Sequence, residues 1–409
     1  MRNTLYARRY TISFNMKVRS KFDSTEIGEV EDIKLSELKT EHSSDSRMTP
    51  SRLIETMISV LEKFSASDER ISILSMETGR TKLSCKEELL RTVQLMKYNY
   101  APRLIEVLGS ERVRTDQFRK ITAVVPDISI PVYTMFVGIV ESIINGTKPM
   151  ILHNSQCPIS TMTLSNDIYE YLRETSEYIL DVAEENSIRA FDKWGEGERI
   201  LFYGNTKDFI DVQKAVTKNN VIWKQFENGV SIVPDSSHME MATNSVPGIS
   251  YLSVSNRFLR SQLFLVSDKE YIFFKNRIIE FLKRDVKKGY GPEGDINYFN
   301  TQEDAEMARQ SVRKLLENDF DYVDGLHESV HLLENRYGEK IVPMEQIPGP
   351  VIVLYHFKNL KDAIEKAMSV KNCNFINIFT DSFNAVDFAK SRTGIEILRN
   401  VESSRALLV

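Results

Sequence analysis

Gly204, Asn205 and Thr206 close an apolar run, "ILFYG", and open a polar one, "NTKDF". These residue types suit a phosphate. A glycine lets the backbone approach an anion closely, and Asn and Thr add donors where a strand turns into a helix. Such a turn is how a strand passes over a phosphate-bearing cofactor.

A second constellation is "HESVH", His327 to His331. On a helix, histidines four apart share a face and hold one zinc ion, with the intervening glutamate as base. The flanks argue otherwise. "FDYVDGL" upstream is strand-like, and Gly325 interrupts the pattern just before the first histidine. On a strand, residues four apart span about 13 Å, too far for one zinc. No helix-borne third ligand is evident, so neither zinc hydrolysis nor any metal is expected. The three cysteines, Cys85, Cys157 and Cys373, are far apart, odd in number and in no CxxC pair. They read as reduced structural thiols of a cytoplasmic protein.

The chain that must position these residues has 409 of them, enough for two or three domains. Its composition, 42% hydrophobic and 27% charged, is that of a globular protein. A net charge of −5 argues against nucleic acid or an anionic membrane as main partner. The longest apolar stretch, "VYTMFVGIVESII" (132–144), falls short of the roughly 18 residues a bilayer requires and contains Glu141. The basic N-terminus has the charge of a transit peptide. Its alternation of Tyr10, Ile12, Phe14, Met16 and Val18 favours a half-buried strand.

Residues 24–50 are polar and acidic and read as a surface connection. From 51 the apolar positions recur at three and four, with Thr49 as cap and Pro50 at the first helical position. Helix continues over 85–108. Strands are expected in 119–133, 146–155 and 198–206, and helices over 132–144, 164–186 and 207–216. In the second half, "VSIVPD", "RSQLFLVS", "PVIVLYHF", "FINIFT" and "GIEILRN" read as strands. Residues 269–285, 359–369 and 382–392 read as helices. Alternating strands and helices mean an α/β chain with parallel sheet covered on both faces, its ligand at the carboxyl ends of the strands.

Taken in order, several segments resemble the aldehyde dehydrogenase superfamily, as a divergent, short member. "SMETGRTKLSCKEELLRTVQLMKYNYA" is similar to the family's glutamate–x–glycine–lysine segment. "VVPDISIPVYTMFVGIVESIINGTKPMILHNSQCP" resembles its asparagine loop, long helix and following strand. "FYGNT" resembles the cofactor turn, and "EQIPGPVIVLYHFKNLKDAIEKA" and "NIFTDSFNAVDFAKSRTGIEILRN" resemble the last two strand–helix units. The resemblance implies a Rossmann-like cofactor domain, an α/β catalytic domain and a small oligomerisation ribbon. The corresponding boundaries are 1–48 for an N-terminal strand and polar connection, 49–222 for the cofactor domain (ribbon segment near 109–122), 223–392 for the catalytic-type domain and 393–409 for a C-terminal strand and tail.

The resemblance also implies NAD or NADP as cofactor, an aldehyde or other small-molecule ligand, and a homo-oligomer, dimer or tetramer. Cofactor contacts would fall on Gly204, Asn205 and Thr206, on His153 (or, in another alignment, Leu152) at a strand end, and on Gln346 in place of the family's glutamate. Phe209 takes the place of a second glycine. The family's catalysis requires a cysteine nucleophile, an asparagine oxyanion donor and a glutamate base. Here the nucleophile position falls on Phe258, with Ser261 three residues on; the asparagine position falls on Ser129. The base has no clean counterpart: Glu227 is the nearest acid, and spacing favours Lys224. Two readings stay open: an NAD(P)-linked oxidoreductase impaired in cysteine-dependent aldehyde oxidation, and a non-catalytic ligand- or protein-binding protein on the same fold.

Overall fold

The computed structural model describes residues 14–32, 47–108, 113–114, 120–153, 157–172, 182–184, 199–204, 206–216, 220–225, 228–246, 260–299, 302–323, 330–335, 347, 349–371 and 373–401. The chain divides into two compact units, Met1–Thr78 with Lys86–Gln225 and Gly79–Cys85 with Phe226–Val409.

The first unit opens with β1 (Phe14–Arg19) paired antiparallel to β2 (Glu26–Asp32). Val18 and Val30 face inward onto Ile159 and Met162, while Lys17 and Glu26 bridge at 3.0 Å outside. The strand expected around residues 14–18 is present, with Val18 buried and Lys17 exposed. Part of the stretch read as a connection is instead strand. Its acidic residues flank one buried valine, and the backbone partner supplied by β1 outweighs the polar composition. β3 (Arg47–Met48) pairs with β4 (Val113–Arg114). Residues 109–112, 115–119 and 402–409, where the ribbon is expected, lie outside the described residues.

Helices follow: α1 (Pro50–Ser65), α2 (Asp68–Thr78), α3 (Lys82–Leu95) and, after one wide π turn, α4 (Ala101–Leu108). The Thr49 side chain accepts from the Arg52 N–H at 3.2 Å, satisfying a donor that the helix itself leaves open.

The parallel sheet of this unit has the order β7-β6-β5-β8-β9. Its strands are β5 (Ile121–Val125), β6 (Lys148–His153), β7 (Val182–Glu184), β8 (Arg199–Gly204) and β9 (Asn220–Gln225). The connecting helices are α5 (Pro131–Ile144), α6 (Pro158–Leu172) and α7 (Thr206–Ala215). Two sequence expectations need correcting. Residues 182–184 are strand, not the end of a helix, because Val182 and Ala183 extend the sheet beside Ile151 and Leu152. "NVIWKQ", for which no element was expected, is the edge strand β9, its backbone paired along the whole of β8.

The second unit holds a seven-stranded sheet of order β12-β13-β14-β11-β10-β15-β16, parallel except for β12. Its elements are β10 (Asn228–Val233), α8 (Met239–Ser245), β11 (Arg260–Ser267), α9 (Tyr271–Asp285), α10 (Gln302–Leu316), β12 (Phe320–Tyr322), β13 (His331–Asn335), β14 (Val351–Phe357), α11 (Leu360–Met368), β15 (Cys373–Ile378), α12 (Phe383–Arg392) and β16 (Glu396–Arg399). Both faces are covered. Val353, Leu265 and Ile232 pack under α10 and α11, and their strand neighbours Leu354, Phe264 and Val266 pack under α8 and α9. Helices α8 and α10 were not anticipated. The pattern is α/β with parallel sheets, and period-two alternation sends each strand's residues to opposite layers. Among the described residues no helix is long and apolar enough to cross a membrane.

Candidate functional site

The order β7-β6-β5-β8-β9 reverses between β5 and β8, the place where an open parallel sheet leaves a crevice beyond its carboxyl ends. Three of the positions singled out above meet along that edge. His153 ends β6, the loop carrying Ser129 leaves β5, and Gly204 ends β8, with α7 starting two residues on at Thr206. The topology thus gathers residues 24 to 75 positions apart in the sequence. Asn205, Glu227, Phe258 and Gln346 lie outside the described residues. The strands that Glu227, Phe258 and Gln346 precede, β10, β11 and β14, are parallel neighbours in the second sheet.

The loop after β5 is closed on itself. Ser129 is buried, and both its N–H, at 2.6 Å, and its hydroxyl donate to the Asp127 carboxylate. The Asp127 N–H in turn donates to Thr134 Oγ1 at 3.0 Å, in the first turn of α5. The hydroxyl hydrogen is thereby committed to holding the loop, and Pro131 starts the helix behind it.

Gly204 is surrounded by aromatic rings. A side chain at 204 would place its Cβ 2.8 Å from the Phe202 ring. Trp223 on β9 donates its indole N–H to the Gly204 carbonyl at 3.0 Å. Phe209, in the first turn of α7, stacks on Trp223 with ring centroids 4.4 Å apart and planes 5° apart. The ring that stands where a second glycine was expected is thus turned onto the sheet, and the same cluster joins the core under α7.

Lys224 is the register partner of Tyr203. Its Nζ lies 3.2 Å from the Glu141 carboxylate, which also accepts from the Tyr100 hydroxyl at 3.3 Å. Tyr203 is 3% exposed, its hydroxyl makes no hydrogen bond among the described residues, and burial followed by the Glu141 charge pushes its pKa well above the ordinary phenol range.

The glutamate of the "SMETGR" segment has a different role, one that sequence reading missed. Glu77 is fully buried and accepts from the N–H groups of Ile159 at 2.7 Å and Ser160 at 2.9 Å, and from the Ser160 hydroxyl. It caps α6 from a distance of eighty residues. The thiol of Cys157 lies 3.6 Å from the same carboxylate. Burial raises the Glu77 pKa to about 7, against the lowering effect of those donors. The only sequence signal was a carboxylate in the resembling segment.

In the second unit, Gly349 adopts φ +94°, and a Cβ there would meet the Phe299 ring at 2.6 Å. Gln262 on β11 fixes the approach to β14. Its amide donates to the Ile347 carbonyl at 2.8 Å and the Val351 carbonyl at 3.1 Å, and accepts from the Ile347 N–H at 2.9 Å. His331 opens β13 and so lies on a strand; His327 lies outside the described residues. Ser261 is the second residue of β11.

Two parallel sheets in this order, one with a crevice at its reversal and one with an antiparallel edge strand, match known structures over nearly the whole chain. An oxidoreductase from Marinobacter aquaeolei superposes with a TM-score of 0.80 at 13% identity, covering 96% of this chain and 87% of that one. The fold is that of the aldehyde dehydrogenases. Aldehyde dehydrogenase 21 from Physcomitrella patens, solved with the reaction product succinate, gives 0.77 at 15% identity, over 98% of this chain and 88% of its own. An NAD-dependent benzaldehyde dehydrogenase from Corynebacterium glutamicum gives 0.77 at 13%, over 96% and 92%. No protein-family model and no curated protein matches the sequence. The aldehyde dehydrogenase fold is thus retained on a sequence that has diverged from it almost everywhere.

Proposed function

We propose that this chain is a binding protein on the aldehyde dehydrogenase fold that does not carry out cysteine-dependent aldehyde oxidation. The state of the thiols carries this reading. The chain has three cysteines. Cys85 and Cys157 are both 0% exposed. Cys373 donates to the Phe375 carbonyl, and burial pushes its thiol up to about 11. Attack on a carbonyl requires an accessible thiolate, and these three positions offer two inaccessible thiols and one held in its protonated form. Ser129 spends its hydroxyl on Asp127, and Lys224 pairs with Glu141. The test is a panel of aldehydes with NAD⁺ or NADP⁺, following reduced nicotinamide. No turnover is expected; NAD(P)H formation that iodoacetamide abolishes would overturn the reading.

A second reading, dinucleotide binding without oxidation, is favoured by the strand–glycine–helix order at β8 and α7 and by the switch point beside it. NAD- and NADP-complexed structures share the fold: a putative methylmalonate-semialdehyde dehydrogenase from Sinorhizobium meliloti with NAD and a glyceraldehyde-3-phosphate dehydrogenase from Bacillus halodurans with NADP. The turn meets one requirement of a dinucleotide and misses another. Backbone N–H groups at the start of α7 favour an anion. The space that Gly204 leaves free is taken by Phe202, and its carbonyl by Trp223. Gly204 and Thr206 would hold the pyrophosphate through their N–H groups, with His153 ending the neighbouring strand β6; a bound nicotinamide supplies hydride acceptance. Calorimetric titration with NAD⁺, NADP⁺ and their reduced forms decides it: micromolar binding establishes the second reading, and no heat at millimolar cofactor excludes it.

A further inference from the structure

The face of the five-stranded sheet opposite the aromatic cluster carries a recess that neither reading above uses. Register places its walls. Thr122 on β5 stands beside Arg199 on β8, Leu201 on β8 stands beside Ile222 on β9, and Tyr203 stands beside Lys224. The last turn of α5 brings Glu141 over the same face. The result is a cleft of about 80 Å³ between α5 and the outer strands.

Its polar groups are unequally satisfied. Thr122 Oγ1 is bonded to Thr147 Oγ1 at 2.7 Å, and the Asn145 amide is bonded to the Glu141 carbonyl at 2.7 Å. Lys224 and Glu141 offset one another. Arg199 lines the cleft, and among the described residues no carboxylate or carbonyl pairs with its guanidinium. The recess therefore holds one uncompensated positive charge on a planar fork of N–H donors above an apolar floor, Leu201 and Ile222. A guanidinium fork is the shape that takes a carboxylate through two parallel hydrogen bonds. The volume admits a group of a few heavy atoms.

We propose that this recess binds a short-chain aliphatic carboxylate, its carboxylate on Arg199 and its hydrocarbon stem on Leu201 and Ile222. A monoanion closes the local charge, whereas a phosphate dianion would leave an excess and has no apolar part to match the floor. The site is independent of the dinucleotide question, because it lies on the other face of the sheet from the Phe202, Phe209 and Trp223 rings.

The test is calorimetric titration of the full chain with acetate, propionate and inorganic phosphate, at ionic strength matched with chloride. Propionate should bind saturably in the millimolar range and more tightly than acetate. Arg199→Met should weaken it by at least about tenfold. Glu141→Gln should tighten it, because the lysine charge is then released toward the ligand; a residue that merely held the fold would not show opposite signs at these two positions. Lys97→Met, on an exposed helical position, should leave it unchanged. If Arg199→Met does not fold, Arg199→Lys keeps the charge, loses the fork and should bind with intermediate affinity. No saturable heat with either carboxylate, or unchanged affinity in the Arg199 variants, overturns the proposal. Binding of phosphate in preference to propionate overturns the assignment to a carboxylate.

Discussion

Glu77 shows how one side chain ties distant segments together. Its carboxyl is buried against the amino end of α6, so removing it from water opposes ionisation while the donors of Ile159 and Ser160 favour it, and burial dominates. The folded state therefore holds this proton more tightly than the unfolded chain, whose carboxyl titrates near 4.5. The stabilising contribution is fully present below about pH 4.5 and is lost as pH rises through about 7. A loss on the order of 3 kcal/mol is expected across that window. Denaturant midpoints measured from pH 4.5 to pH 8 should show it, and Glu77→Gln should flatten the slope between those limits. A variant with the same pH slope as the parent chain would show that another group is responsible.

Two element-scale features were differently legible. The N-terminus of α1 could be read directly, since Thr49 and Pro50 act within one turn of the chain. Thr49→Ala should lower the unfolding free energy by about 1 kcal/mol, read from the urea midpoint at constant slope. The turn at Gly204 could be read only in part. Its glycine reads as a ligand requirement, while the structure also gives it a packing cause, the Phe202 ring. Gly204→Ala should cost about 1–3 kcal/mol through overpacking. Adding Phe202→Leu should recover part of that loss by removing the ring that the methyl group meets. A Gly204→Ala chain as stable as the parent would show that the ring moves aside freely. β9 and β2 went unrecognised because an edge strand is defined by the partner its backbone finds, and "NVIWKQ" and "EIGEVED" have little internal pattern.

For the whole molecule, the distribution of thiols makes a global prediction. Under native conditions at neutral pH, Cys85 and Cys157 should resist Ellman's reagent and Cys373 should react slowly, while all three should react at once in denaturant. A fast native thiol would contradict the burial on which the proposed function rests. The same experiment followed against denaturant concentration tells whether Cys157 of the first unit and Cys85 of the second become reactive in one transition or two.

Local order decides much in this chain. Helix periodicity, caps, the apolar runs of central strands and the sequence of strand–helix units were all present in neighbouring residues, and so the α/β class and the resemblance to the aldehyde dehydrogenases were readable from them. The expectation that Phe258 stands at the nucleophile position is a sequence reading of the same kind, because it depends only on which residue occupies a position. Tertiary structure alone decided what depends on contacts across the chain. It turned Phe209 onto Trp223, gave the Ser129 hydroxyl to Asp127, set Glu77 against α6, and placed Arg199 in a recess with Leu201 and Ile222. Those contacts join residues between two and more than eighty positions apart. Hydrophobic pattern fixes which face of an element is buried, and only the assembled sheet fixes which side chains then meet.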